Sequence, residues 1–128
     1  MSGSRWRDSP IYVEPYKYKI HIIVGEREWR EFCKESGVEK DVKGIDGLVW
    51  PLEEAESGAT FCAFYIDKQR ANAGIVLHEC VHIVHEALED RGVPISHENT
   101  EVMAYHIEHL FNEIVEELKE RKVNLKLT

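Results

Sequence analysis

The sequence has no apolar run approaching the roughly 20 residues that cross a bilayer, so no membrane partner is expected. Its opening, MSGSRWRDSP, has no apolar signal core, and the expected location is the cytoplasm. Cysteine is sparse. Cys33, Cys62 and Cys80 are odd in number, scattered and outside any C-x-x-C pair. That excludes a disulfide framework and a cysteine zinc site, and each thiol reads as a small buried hydrophobe. Positive charge is in deficit: 16 Lys and Arg stand against 24 Asp and Glu, a formal net charge of −8. An acidic chain repels phosphate backbones, so nucleic acid is not an expected partner despite basic clusters near both ends. There is no internal repeat and no low-complexity segment.

What is present suits one globular domain. The chain has 128 residues, 43% hydrophobic and 31% charged. Residues 1–15 are polar, carry Pro10 and Pro15, and read as a flexible or irregular N-terminal arm. The domain proper is expected over 16–121, with 122–128 a tail whose weak alternation could add a strand. YKYKIHIIV, residues 16–24, alternates apolar and polar side chains as a half-buried strand does. EREWREFCKES repeats Trp29, Phe32 and Cys33 at helical spacing, and Gly37 is its stop signal. Residues 38–58 hold Gly44, Asp46-Gly47, Pro51 and Gly58, which is loop and hairpin chemistry, with LVWPL as a short strand or rim segment. ATFCAFYID, residues 59–67, is a second strand.

Two long helices follow. The first spans about 72–91, ended by Gly92 and Pro94. The second starts near Ser96 to Asn99, whose side chains can cap it, and runs to about 121. Strands followed by helices predict an α+β fold: a small, mostly antiparallel sheet with helices packed on one face.

The first long helix carries the chemistry. Within IVLHECVHIVHEAL, residues 75–88, His78-Glu79-Cys80-Val81-His82 has the form H-E-x-x-H. Val76, Leu77, Cys80, Val81, Ile83, Val84, Ala87 and Leu88 form one apolar arc, and His78, His82 and His85 share the opposite one. His78 and His82 are i and i+4, so their rings stack along the helix and can bind one Zn²⁺ through nitrogen. Glu79 points about 100° away from His78, suited to reach a zinc-activated water as general base. With seven His and nineteen Glu, chance alone places roughly 0.06 such pentads in a chain like this. The motif therefore competes with a merely solvated His/Glu face.

A catalytic zinc takes three protein ligands and keeps one position open. Glu101 lies about 40° beyond the apolar arc of the second helix, which would let it face the first helix. Glu98 and Glu108 are alternative third ligands.

HECVH, the Gly-Pro break and E-x-x-A-Y (Glu101, Ala104, Tyr105) together resemble the gluzincin pattern. The resemblance is closest to small zincin-like metallopeptidases of phage and prophage type, and more distant to SprT-like and ImmA/IrrE-like minimal zincins. It covers roughly residues 59–118. It implies a minimal zincin-like fold, one Zn²⁺ held by His78, His82 and Glu101, Glu79 as base, and a peptide or protein substrate. It further implies that strand 59–67 forms the sheet edge over the cleft, where an extended substrate could pair. His85 is expected to neighbour the site rather than bind metal. Tyr105 is expected to be buried and hydrogen-bonded, with an oxyanion role as its alternative. His97, His106 and His109 are expected at the surface or as caps. The competing functional reading is a non-catalytic zinc-binding assembly or interaction protein that keeps the metal for structure.

Overall fold

Alternation in YKIHIIV produces the strand that organises the molecule. The computed structural model describes residues 5–127. In β2 (Tyr18–Val24), Tyr18, Ile20 and Ile22 join one hydrophobic cluster and Ile23 joins another on the opposite face. With β1 (Ile11–Val13), β3 (Gly47–Glu53) and β4 (Thr60–Ile66) it forms a four-stranded sheet of order β1-β2-β4-β3. β1 runs antiparallel to β2 and β3 antiparallel to β4, but β2 and β4 are parallel. The sheet is therefore mixed, antiparallel in two of its three pairings. A parallel pair needs a long crossover, which α2 (Gly25–Ser36) and the chain after it provide.

Strand 59–67 is not the sheet edge. β4 is hydrogen-bonded to β2 on one side and β3 on the other. The reason is visible in its residues: Cys62 to Ile66 are all buried, the two-sided apolar run of an interior strand. The edges are β1 and β3, and β3, beside β4, is mostly half-buried and carries Pro51, a residue that edge strands tolerate.

Helices pack on both faces, not one. α2 buries Trp29 and Phe32 with Trp6, Ile23, Ala63 and Tyr65. It ends at Gly37, whose left-handed φ of 80° lets its N–H donate to the Cys33 carbonyl. On the other face α3 (Ala73–Asp90) and α4 (Thr100–Glu120) cover Ile20, Ile22, Cys62 and Phe64. Most of the expected N-terminal arm belongs to the fold: α1 (Arg5–Asp8) buries Trp6, and β1 pairs with β2. Three residues of IYV are too few for periodicity to reveal. Residues 1–4 and 128 lie outside the described part. In the tail, Lys126 makes an isolated bridge to Asn72.

Asn72 caps α3, accepting the Ile75 N–H at 2.9 Å. Ser96 and Asn99 make no side-chain cap. Instead the Asn99 amide donates to the Pro94 carbonyl at 2.7 Å, and a 3₁₀ turn over His97–Asn99 leads into α4. The first turn of α3 lies at Gly47, level with the end of β4, while Asp90 is hydrogen-bonded to Thr60 at the start of β4. α4 runs the other way. Its His106 packs on Tyr16, just before β2, and Arg121 beyond its end donates to the Ile22 carbonyl. The two helices are thus an antiparallel pair.

Candidate metal centre

α3 sorts its residues by face. Val76, Cys80, Ile83, Val84, Ala87 and Leu88 are buried, while His78, His82 and His85 are exposed. Leu77 and Val81, expected in the core, are 47% and 41% exposed. They lie at the outer margin of an apolar arc too broad for the sheet and α4 to cover. Cys80, inside the pentad, is a core residue: burial, with the Glu79 charge adding, pushes its thiol up to about 12.

The i, i+4 spacing brings the two imidazoles together. His78 Nε2 and His82 Nε2 are 3.3 Å apart, and their ring centroids 4.9 Å. Two nitrogens each about 2.05 Å from a tetrahedral zinc stand about 3.3 Å from one another. The pair therefore fits two corners of a zinc site.

Glu79 turns inward from the same turn of helix and is only 8% exposed. It faces the start of β3. A Cβ on Gly47 would lie 3.5 Å from Glu79 Cγ, 3.6 Å from Oε2 and 2.7 Å from Ile75 Cγ2. Only glycine lets β3 pass this close to α3. Burial raises the Glu79 carboxyl above its ordinary range, and His78 and His82 draw it partly back. Gly47, Ile75, His78 and Glu79 line a cleft of about 400 Å³. The role of Gly47 was not legible in the sequence, where Asp46-Gly47 signalled only a turn.

The remaining residues are not gathered here. Among the described residues, no group of three His, Cys, Asp or Glu is arranged to hold a metal. Glu101, exposed in the first turn of α4, does not join the histidine pair, and neither do Glu98 or Glu108. The antiparallel pairing explains this. α4 begins beyond the far end of α3, and His82 sits roughly 12 Å along the axis from Asp90, at about 1.5 Å per residue. Angular position predicted which way Glu101 could face, not its height along α3. The chain thus offers a zinc ion two good ligands and no third from these residues.

His85 lines a separate groove with Glu89, Val93 and Ile95. Tyr105 is 63% exposed rather than buried, and its ring contacts are with His106 and His109, the latter stacked at 6.1 Å. His106, expected at the surface, is buried against Tyr16, and burial lowers its pKa.

Comparison with protein-family models, with curated proteins and with solved structures finds no match for this chain.

Proposed function

We propose that this chain is a zinc-dependent hydrolase of peptide bonds, with His78 and His82 as zinc ligands and Glu79 as general base. The observation that carries the reading is the 3.3 Å approach of two exposed imidazoles one turn apart, beside a carboxylate that is almost fully buried. When bound, zinc supplies Lewis-acid polarisation of a carbonyl and acidification of water. Glu79 holds the proton at a carboxylate oxygen and passes it to the leaving amine nitrogen. The free side of β3, next to α3, offers backbone hydrogen bonds to an extended peptide, the role first assigned to strand 59–67. The packing of α3 on α4 does not support Glu101 as the third ligand.

Glu79→Gln tests the mechanism. The variant should retain zinc, measured by mass spectrometry on tag-free protein, and lose at least about 100-fold in peptide-library cleavage. Undiminished cleavage in the variant would refute the role of Glu79. Failure of the wild-type chain to take up zinc would refute the metal reading.

A second reading, zinc held for assembly rather than catalysis, is favoured by one observation: the histidine pair has no third partner among the described residues.

A further inference from the structure

We infer that zinc joins two copies of this chain through α3, each copy contributing His78 and His82. The inference rests on the zinc reading of this pair and is independent of hydrolysis.

Zinc in a closed site takes four ligands, and one chain presents two. A two-fold axis beside α3 doubles two ligands to four with no other element moving. Among the described residues none completes the set within one chain. The rings are already at zinc spacing, so little side-chain freedom is lost when the second copy arrives.

The surface around the pair has the character of a self-association core. From Leu77 to His85 the exposed positions are Leu77, His78, Val81, His82 and His85, and the one carboxylate in the stretch, Glu79, is buried. In a chain of net charge −8, these five exposed side chains carry no carboxylate; the nearest ones are Glu86, half-buried one turn after His82, and Asp46, which lines a cleft with His78 and is paired with Arg70. The next exposed carboxylate on α3, Glu89, lies roughly 10 Å along the axis from His82, at about 1.5 Å per residue. It would sit on the rim. A centre of four histidines has no open position. The joined pair is therefore a latent form, and hydrolysis belongs to the single chain.

Sedimentation of tag-free protein over a wide concentration range, with zinc analysis of each species, tests the inference. In EDTA the chain should sediment at 14.9 kDa. With zinc it should double in mass and carry one ion per two chains. His82→Ala should remain single with zinc present. Leu77→Glu should remain single at concentrations where wild type is paired, and Glu101→Gln should behave as wild type. Both Leu77 and His82 are exposed, and circular dichroism verifies that the variants fold. One zinc per chain with unchanged mass would overturn the pairing and leave the zinc reading standing. No retained zinc would overturn both. A pair that persists in EDTA or in His82→Ala would place the contact elsewhere and overturn the inference.

Discussion

His21 shows how one residue couples the N-terminus to the sheet. Its Nδ1 lies 3.0 Å from the Trp6 carbonyl, and its ring packs edge-on against Trp6 and Phe61. Burial lowers its pKa. The bond to Trp6 opposes this, and the charges of Lys19 and Arg121 add to it. A lowered value means that the folded chain binds the proton less readily than the unfolded chain. Stability from this group is fully present above the ordinary imidazole range and is lost as pH falls through that range to the depressed value. The urea midpoint should therefore fall between neutral pH and about pH 5, and fall less in His21→Gln. An equal fall in both proteins would remove His21 as the cause.

At the scale of elements, the site depends on how close β3 comes to α3. The contact is set by Gly47, where an added methyl group would meet Ile75 Cγ2 at 2.7 Å. Ile75 is β-branched and stiff at that carbon, so strand or helix must shift. Gly47→Ala should cost about 1–3 kcal/mol in urea unfolding. Ile75→Ala should cost less in that background than in wild type, since it removes the colliding group. Simple additivity of the two would show that the strand moves freely. α3 itself was legible in the sequence, including its apolar arc, its histidine arc and its Gly92-Pro94 end. Its contact with Gly47 was not, because a close backbone approach leaves only a glycine in a sequence already rich in turn signals.

At the scale of the whole molecule, Arg121 fastens the two helical layers across the end of the sheet. Its side chain is 5% exposed. It donates to Glu117 at 2.7 Å and to the Ile22 carbonyl, and lies 3.5 Å from Glu28 of α2. Burial raises the Glu28 carboxyl, while the Val24 N–H and the Arg121 charge draw it down. Removing the guanidinium leaves two poorly solvated carboxylates, Glu28 with only the Val24 N–H and Glu117 with Arg5 at 3.7 Å. Arg121→Met should lose about 3 kcal/mol of stability in urea unfolding. A loss below about 0.5 kcal/mol, the scale of an exposed pair, would show that the fastening is idle.

Local pattern by itself determined much of this protein. Period-two alternation located β2, helical periodicity with Gly and Pro stops located α2, α3 and α4, and the i, i+4 spacing of His78 and His82 set two rings at metal-binding distance. These features depend on residues within a turn or two of each other. Tertiary structure decided the rest. It placed β4 inside the sheet and β3 at its edge, because strand order depends on pairing between distant segments. It folded part of the expected N-terminal arm into a helix and Ile11–Val13 into the sheet, where Ile11 and Val13 gain a partner that three residues cannot announce. It also set α4 antiparallel to α3, which leaves Glu101 at the far end from the histidine pair. Periodicity states the direction in which a side chain points, and only the packing of one helix on another states what lies opposite it.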